Sequence, residues 1–339
     1  MVAEIAKLNL DGASILVTGG TGSFGRAFCK EVLERWNLRR LVVYSRDEAK
    51  QWEMSMLPEF ANHPAIRFFI GDVRDQSRLE MAMRGVDHVV HAAALKHVPA
   101  AEYNPFECIR TNVHGAENVV QAAIRTNIKT VVALSTDKAV NPVNLYGASK
   151  LASDKIFVAA NHLAGSDGPR FSVVRYGNVL GSRGSIIPLF RQLIAQKVES
   201  LPITDPRMTR FVITLKDGVE LVLSAFATMQ GGEIFVPKIP SVRMTDLAKV
   251  LAPDLPIRII GIRPGEKLHE CLITSDDART TLDMGDHYVI EPAFHWWTRT
   301  KFLERQGTPV DESFHYSSEN NPVWLSNDEL GALLEAAGV

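Results

Sequence analysis

A glycine-rich loop between a buried strand and a helix constrains the fold of this chain more than any other feature. The apolar run Ser14–Thr18 leads into seven residues that read Gly19-Gly20-Thr21-Gly22-Ser23-Phe24-Gly25. Glycines at 19, 22 and 25 suit a tight turn, close approach of the backbone to a pyrophosphate, and close packing of the next helix on the sheet. That helix, predicted from Phe24 to Trp36, offers free N–H groups and a positive dipole end to phosphates. A glycine-rich turn without a ligand is the weaker alternative.

Five more β-rich runs follow, and helical patterns separate the first five runs of the chain. The further runs are Arg40–Tyr44, Arg67–Ile70, His88–Ala92, Thr130–Leu134 and Phe171–Tyr176. Strands that alternate with helices are parallel and joined by right-handed crossovers, and runs that are apolar on both faces fit a sheet covered on both sides. We therefore expect an α/β fold, in which a Rossmann-like, doubly wound parallel sheet is accompanied by a smaller C-terminal α/β domain.

The charge balance and the cysteines limit the possible partners. The 339 residues carry a formal net charge of −2, so no basic excess argues for nucleic acid or an anionic membrane as the main partner. Cys29, Cys108 and Cys271 are far apart, which predicts neither a disulfide framework nor a metal site. We recognise no signal peptide and no run long enough to cross a bilayer, so we expect a cytoplasmic protein.

The residues after the second strand predict which dinucleotide binds. Asp47 is placed to bind a ribose hydroxyl, as a carboxylate does in NAD sites, or to cap the next helix. Arg46 with Ser45, helped by Lys50, makes a pocket for the 2′-phosphate of NADP. Because the cationic group is the better match, we favour NADP.

Two further strand ends are expected to contact the cofactor. Asp72, followed by Val73, is placed to accept a hydrogen bond from the adenine amino group, although a helix cap explains Asp72 almost as well. Ala92 and Ala93 end the fourth strand, where small side chains let the backbone approach the cofactor closely. His91 beside them is interpreted as a packing residue rather than a catalytic one.

These features suggest a division of the chain. We expect a NADP-binding domain over residues 1–176, with a contribution from about 207–232, and a substrate domain with a tail over 177–206 and 233–339. Ile234–Val236, Met244–Leu251 and Ile257–Ile260 are expected to build the smaller domain. The polar and aromatic tail, which includes His295-Trp296-Trp297, receives no assignment.

A tyrosine and a lysine at helical spacing follow the fifth strand and predict redox chemistry. Tyr146 and Lys150 are four residues apart, so they share one face of a helix. An ammonium and an oxidised nicotinamide nearby favour a tyrosinate, which takes a proton from a sugar hydroxyl while hydride leaves. Thr136, at the end of the fifth strand, is placed to hydrogen-bond the same hydroxyl.

Asp137 and Lys138 supply an additional acid and base that a simple dehydrogenase does not need. Once carbon 4 of a hexose is a ketone, the hydrogen on carbon 5 is acidic, and water can be eliminated across carbons 5 and 6. We assign Lys138 as the base and Asp137 as the acid. Burial lowers the pKa of a lysine and a neighbouring carboxylate raises it, and the sequence does not decide which effect dominates. A surface salt bridge between the two residues is the alternative.

The motifs together resemble the inverting UDP-N-acetylglucosamine 4,6-dehydratases, which start pseudaminic acid synthesis in flagellated bacteria. The resemblance rests on Thr18–Gly25, Tyr44–Glu48, Lys96–Pro99, Thr136–Lys138, Asn144–Gly147, Arg175–Val179, Arg263–Lys267 and Tyr316–Ser318. It implies a tightly bound, recycled NADP, oxidation at carbon 4 by Tyr146, and inversion at carbon 5. The implied product is UDP-2-acetamido-2,6-dideoxy-β-L-arabino-hexos-4-ulose. Retaining dehydratases carry Thr-Asp-Glu where this chain has Thr136-Asp137-Lys138, which favours the inverting group.

The same resemblance implies a set of substrate contacts. Lys96 is expected to contact the cofactor and the sugar or diphosphate, and the other predicted substrate residues are Asn178, Val179, Gly181, Ser182, Thr204, Arg210, Arg263 and Glu266. Structural ion pairs are the alternative for the arginines and for Glu266. The family also tends to form homo-oligomers, including hexamers.

Two other functions remain open at this point. A nucleotide-sugar 4-epimerase or 4-reductase of the same fold would use Tyr146 and Lys150 but would not need Lys138. A non-catalytic NADP-binding regulator is less consistent with the sequence, because such proteins typically lose the tyrosine or the lysine.

Overall fold

One large sheet dominates the fold. The computed structural model describes residues 2–293 and 307–338, and over this part of the chain ten strands join in the order β3-β2-β1-β4-β5-β6-β10-β15-β14-β16. The strands are β1 (Ser14–Thr18), β2 (Arg40–Ser45), β3 (Ile66–Ile70), β4 (His88–His91), β5 (Thr130–Thr136), β6 (Arg170–Tyr176), β7 (Asn178–Val179), β8 (Leu201–Ile203), β9 (Thr209–Ile213), β10 (Ile234–Pro237), β11 (Ser241–Arg243), β12 (Ile257–Ile259), β13 (Cys271–Ile273), β14 (Thr281–Asp283), β15 (His287–Ile290), β16 (Thr308–Pro309) and β17 (Tyr316–Ser317).

Helices cover the sheet and connect its strands. They are α1 (Val2–Ile5), α2 (Ser23–Arg35), α3 (Glu48–Ser55), α4 (Gln76–Met83), α5 (Val98–Tyr103), α6 (Pro105–Ile109), α7 (Gly115–Arg125), α8 (Leu145–Ala164), α9 (Ile186–Ala195), α10 (Leu215–Thr228), α11 (Met244–Leu251), α12 (Ser275–Ala278) and α13 (Asn327–Ala336). A π-helical turn, Arg110–His114, joins α6 to α7, and a 3₁₀ turn, Asp137–Ala139, follows β5. No helix in the described ranges has the length and apolar character needed to cross a membrane.

The sheet has the strand order of a Rossmann fold, as predicted. Strands β3-β2-β1-β4-β5-β6 pair in parallel, and β10 adds a seventh parallel strand next to β6. The central strand β1 is buried along its whole length, because helices cover both faces of the sheet there. The six predicted strands lie within two residues of their observed bounds.

A second, smaller region packs around its own apolar core. Strands β7, β9 and β11 form a three-stranded sheet, and β8 pairs in parallel with β12. Apolar side chains of α9, α11 and α13, such as Phe190, Leu247 and Leu330, are buried between them. This region includes the predicted elements Met244–Leu251 and Ile257–Ile259.

The predicted division of the chain needs a correction around residue 233. We placed Ile234–Val236 in the smaller domain, but β10 lies beside β6 in the large sheet and is buried on both faces. Strands β15, β14 and β16 then extend the same sheet in antiparallel directions. A short apolar run is compatible with a buried strand in either sheet, so periodicity alone did not distinguish the two positions. The unassigned residues His295-Trp296-Trp297 lie outside the described residues.

Candidate active site

The glycine loop lies against the end of β4. Gly19 has a φ of +65°, and a Cβ on Gly19 would come within 2.9 Å of the backbone of Ala93. The hydroxyl of Thr18 accepts hydrogen bonds from the backbone N–H groups of Ala92 and Ala93, at 3.2 and 3.3 Å. The loop and the end of β4, both predicted to bind the dinucleotide, are therefore neighbours, and the backbone at Gly19 leaves no room for a side chain.

The end of β2 meets the same loop. Hydroxyl groups of Thr21 and Ser45 are 2.9 Å apart, and Arg46 is the next residue, with its side chain 54% exposed. Asp47 caps α3 by accepting a hydrogen bond from the Lys50 N–H, and it also binds the Lys50 ammonium at 2.6 Å. The structure thus favours the capping interpretation of Asp47, and Lys50 already has a carboxylate partner.

Asp72 has a structural role after β3. Its carboxylate accepts hydrogen bonds from the backbone and guanidinium of Arg74, and it lies 3.6 Å from Arg46. Burial acts to raise the pKa of Asp72, but the hydrogen bonds from Arg74 hold it below its usual range. The adjacent Val73 packs against Gly115, and a Cβ on Gly115 would lie 2.8 Å from the Val73 side chain. The helix-cap alternative for Asp72 is wrong, because Asp75 caps α4, and Asp72 instead stabilises the turn before it.

Tyr146 and Lys150 lie on one face of α8, as predicted. The helix begins after Asn144, whose side chain accepts a hydrogen bond from the Gly147 N–H at 2.7 Å. Burial raises the pKa of Tyr146 to about 12, whereas Lys138 and a hydrogen bond with Thr136 act to lower it. Burial also lowers the pKa of Lys150. The sequence named Lys150 as the ammonium that acts on Tyr146, but Lys138 exerts the strongest lowering effect among the charged groups of the protein.

Lys138 is the centre of an ionic cluster. Its ammonium donates hydrogen bonds to Asp137 Oδ1 at 2.9 Å and to Asn178 Oδ1 at 3.1 Å. Glu270 Oε1 lies 3.4 Å away. Burial acts to lower the pKa of Lys138, but Asp137 and Glu270 raise it well above its usual range. The competition that the sequence left open is therefore decided in favour of the carboxylates.

Asp137 is less exposed to solvent than Lys138 and Glu270, the other charged residues of this cluster. Its side chain is fully buried, and its Oδ1 also accepts a hydrogen bond from the Thr136 hydroxyl at 2.9 Å. Burial raises the pKa of Asp137, and the attraction of Lys138 does not offset this. Asp137 therefore retains a proton more readily than an ordinary aspartate.

Glu270 is the residue that the sequence analysis missed. It lies just before β13, and its Oε2 is 3.4 Å from the ammonium of Lys267. Arg210, predicted to bind substrate, donates to the backbone carbonyls of Thr209, Lys267 and Leu268 and so fixes this segment. A usable signal was present, since a carboxylate next to the buried run Cys271–Ile273 requires a cationic partner.

A buried amide joins the two halves of the site. Asn112, in the π-helical turn, donates hydrogen bonds to the Leu95 carbonyl and the Ser149 hydroxyl, both at 2.9 Å. Leu95 precedes Lys96, and Ser149 precedes Lys150. Partial burial and, after it, the charge of Lys138 lower the pKa of Lys96. The extra residue of a π turn commonly marks a functional site, and here it holds Asn112 between the two segments.

The other predicted substrate residues form a second group. Glu266 binds Arg263 at 3.1 Å and accepts a hydrogen bond from the Thr204 hydroxyl at 3.2 Å. Val179 pairs with Ile213 in the small sheet, Gly181 has a φ of +66°, and Ser182 is nearly buried. Only Asn178 of this stretch contacts the Lys138 cluster. The structure thus brings Thr204, Arg263 and Glu266 together.

A Rossmann sheet with a buried tyrosine, lysine and threonine at the end of β5 and the start of α8 defines a class of dehydrogenase-type enzymes. Within that class, the chain belongs to a family described as polysaccharide biosynthesis protein, whose model matches residues 15–292. It is 56% identical over 322 residues to the UDP-N-acetylglucosamine 4,6-dehydratase (inverting) of Campylobacter jejuni, covering 94% of this chain and 96% of that protein. It is also 46% identical over 284 residues to the UDP-glucose 4-epimerase of Rickettsia canadensis, covering 82% of each.

Solved structures share the fold. An X-ray structure of Pen from Bacillus thuringiensis has a TM-score of 0.89 and 34% identity, covering 98% of this chain and 99% of that one. DesIV, a dTDP-glucose 4,6-dehydratase from Streptomyces venezuelae determined with NAD and TYD bound, has a TM-score of 0.66 and 25% identity, covering 75% of this chain and 86% of that one.

Proposed function

We propose that this protein converts UDP-N-acetylglucosamine to UDP-2-acetamido-2,6-dideoxy-β-L-arabino-hexos-4-ulose, with inversion at carbon 5. The single observation that carries the proposal is the buried cluster in which Lys138 lies 2.9 Å from Asp137 and is joined by charge to Tyr146. This cluster supplies the acid and base that elimination of water requires, in addition to the residues for oxidation. The high identity to the inverting dehydratase of Campylobacter jejuni supports the same reaction.

The residues of the chain take distinct roles in this proposal. A nicotinamide dinucleotide, when bound, would accept hydride from carbon 4 and return it to carbon 6. Tyr146 takes the proton of the carbon 4 hydroxyl, and its pKa of about 12 falls when a positive charge is near. Thr136 holds that hydroxyl, and Lys150 balances the tyrosinate.

Elimination of water needs a base for the carbon 5 proton and an acid for the carbon 6 hydroxyl. Asp137, whose pKa is raised by burial, suits the acid. Because Asp137 is fully buried, its proton reaches the carbon 6 hydroxyl through Thr136, which takes the proton of Asp137 as it gives its own to the departing water. Lys138 is an ammonium at rest, so it acts as base only after its proton passes to Asp137 Oδ1, 2.9 Å away, and the same transfer makes Asp137 the acid.

We also propose that the dinucleotide is NADP. A cofactor of this kind fits the chain, because the backbone at Gly19 and Ala93 forms a cradle that a side chain would fill. Arg46, Ser45 and Thr21 lie together beyond it, where a 2′-phosphate would lie. NAD in DesIV is the competing observation, so the two cofactors need a direct test.

Replacing Arg46 with alanine provides that test. We expect Arg46→Ala to weaken NADP binding about 10- to 100-fold, as for a lost charge-assisted hydrogen bond, and to leave NAD binding nearly unchanged. Binding to the unfolded-and-refolded, cofactor-free protein is measured by fluorescence titration. Arg67→Ala, on the exposed side of β3, is the matched control. Equal loss for both dinucleotides would contradict the NADP assignment.

The nearest rival is a 4-epimerase, and the Rickettsia relatives give it a specific basis. The protein is incubated with UDP-N-acetylglucosamine in deuterated water, and the products are followed by proton nuclear magnetic resonance. A new methyl signal, deuterium at carbon 5 and an L-configured ring are expected. A galacto-configured sugar without a methyl signal would favour the epimerase.

Three further aspects of the function are part of the proposal. We infer that Lys96 and Asn178 bind near the sugar, and that Thr204, Arg263 and Glu266 bind the nucleotide end. We also infer a cytoplasmic location and assembly into a homo-oligomer such as a hexamer. Size-exclusion chromatography with light scattering measures the assembly directly.

A further inference from the structure

Glu270 is a buried carboxylate to which the proposed reaction assigns no role. The residue is only 2% exposed, and its two oxygens lie between two ammonium groups. Oε1 is 3.4 Å from Lys138 Nζ, and Oε2 is 3.4 Å from Lys267 Nζ. A carboxylate in such a position has either to be ionised by its partners or to carry a proton.

The backbone of Glu270 is held firmly in place. Its N–H donates to the Ser318 hydroxyl at 3.0 Å, and its carbonyl accepts from the Ser318 N–H at 2.8 Å. The Ser318 hydroxyl is also 2.7 Å from that of Thr209. Lys267 donates to the Val140 carbonyl, just beyond the turn that contains Asp137 and Lys138. Glu270 is thus fixed relative to the end of β5 by contacts on both sides.

The two carboxylates that share Lys138 have different surroundings. Glu270 faces three cations, namely Lys138, Lys267 and Arg210. Burial acts to raise its pKa, but these cations hold it below its usual value. Asp137 faces one cation, Lys138, and one oxygen of each carboxylate, Asp137 Oδ2 and Glu270 Oε2, has no hydrogen-bond partner in the described part of the chain. Glu270 therefore loses its proton more readily than an ordinary glutamate, whereas Asp137 takes up a proton more readily than an ordinary aspartate.

We propose that Glu270 is the fixed counter-ion of Lys138 and is a positioning residue that sets the charge of the Asp137–Lys138 pair for the dehydration step. The inference rests on the proposed dehydratase function. With Glu270 ionised, the positive charge of Lys138 is balanced without Asp137, so Asp137 can carry a proton and act as the acid. Removing the charge of Glu270 makes Asp137 the sole counter-ion, so Asp137 loses its proton at lower pH.

The charged and titratable groups around Lys138 define what the test has to separate. Asp137 precedes it, Tyr146 faces it from α8, Arg210 from β9, Glu270 from the segment before β13, and Lys96 from the segment after β4. Glu270 raises the pKa of both Lys138 and Asp137. It is not among the main influences on Tyr146. Because Asp137 still holds Lys138 as an ammonium when Glu270 is changed, the charge that acts on Tyr146 is kept, and we expect dehydration to be affected and the oxidation at carbon 4 to be spared.

The experiment compares Glu270→Gln with the full-length wild type across pH. Oxidation at carbon 4 is followed by the absorbance of the reduced nicotinamide after rapid mixing, and dehydration by the methyl signal of the product. In Glu270→Gln we expect the whole pH–rate profile of dehydration to move about 1 pH unit lower, because a nearby negative charge has been removed. The profile of oxidation is expected to stay in place.

Two variants control the measurement. Glu270→Asp keeps the charge on a shorter side chain and is expected to return the dehydration profile to the wild-type pH range. Glu319→Gln makes the same chemical change at an exposed carboxylate that binds His269, and it is expected to leave both profiles unchanged.

The outcomes distinguish this inference from the function on which it rests. A folded Glu270→Gln variant whose dehydration profile does not move would overturn the inference. A parallel shift of oxidation and dehydration would also overturn it, because the effect would not be confined to the Asp137–Lys138 pair. A wild-type protein that yields no methyl product would refute the dehydratase function itself.

Discussion

Two lysines of this site, the buried Lys150 and the partly buried Lys138, have pKa values shifted in opposite directions, although burial acts on both in the same way. Lys150, on α8, has Asp154 as its nearby carboxylate, and its pKa is lowered. Lys138 has Asp137 at 2.9 Å and Glu270 at 3.4 Å, and its pKa is raised. Burial penalises an ammonium in each case. The number and proximity of carboxylates therefore decide which charge state each lysine prefers.

This difference separates the two halves of the proposed reaction. Lys150 belongs with Tyr146 and the oxidation at carbon 4, where a lysine that is not locked to a carboxylate can balance a tyrosinate. Lys138 belongs with Asp137 and the elimination of water, where a proton has to be held and then transferred. Substitutions on either side are expected to affect different steps, and they give ways to test the comparison.

The largest effect is expected from the oxidation side. Tyr146→Phe removes the proton acceptor and should slow both oxidation and product formation by about 10³-fold or more, since no later step proceeds without the first. Binding of the nicotinamide dinucleotide, measured by fluorescence titration, should be retained. Tyr176→Phe, at a second buried tyrosine close to the first, is the matched control and should change the rate much less. Product formation by Tyr146→Phe at the wild-type rate would end the assignment.

A smaller and more selective effect is expected from the elimination side. Asp137→Asn keeps the shape of the side chain but cannot supply a proton, so dehydration should fall about 10²-fold. Oxidation at carbon 4 should continue, and reduced nicotinamide should accumulate in a rapid-mixing absorbance measurement. If oxidation falls as much as dehydration, the two lysine environments do not separate the steps as we argue.

The smallest effect concerns stability near Lys150. Burial and, after it, Lys150 lower the pKa of His91 to about 3. Between pH 6.5 and 3 the unfolded chain binds a proton that the folded chain does not, so the free energy of unfolding falls as the pH falls. From pH 7 to 5.5, His91 should account for about 1 kcal/mol of this loss.

Urea denaturation of His91→Gln at these two pH values measures the effect. The variant should show a loss of stability that is smaller than the wild-type loss by that amount. An equal loss in both proteins would mean that His91 takes up a proton in the folded state, and that the surroundings of Lys150 are more polar than the structure indicates.

Local patterns predicted the large sheet and the residues next to its strand ends. The glycine loop, the six parallel strands and the shared helix face of Tyr146 and Lys150 depend on spacing along the chain, which periodicity reports. Spacing does not report which distant segment returns to the site. Glu270 lies just before β13, far along the chain from Lys138, and yet contacts it. Strand β10 follows β9 of the small sheet in the chain but pairs with β6 in the large sheet. Both depend on tertiary packing, so the sequence analysis missed the first and misplaced the second.

The role of Asn144 at the start of α8 has a consequence for substrate selection. Its side chain caps the helix that carries Tyr146, and it also donates a hydrogen bond to the Gly265 carbonyl at 2.8 Å, in the loop of Arg263 and Glu266. One amide thus holds the loop proposed to bind the nucleotide at a fixed distance from Tyr146, which is proposed to act in oxidation of the sugar. A free sugar phosphate, which lacks the nucleotide, is therefore expected to fill only one end of this site.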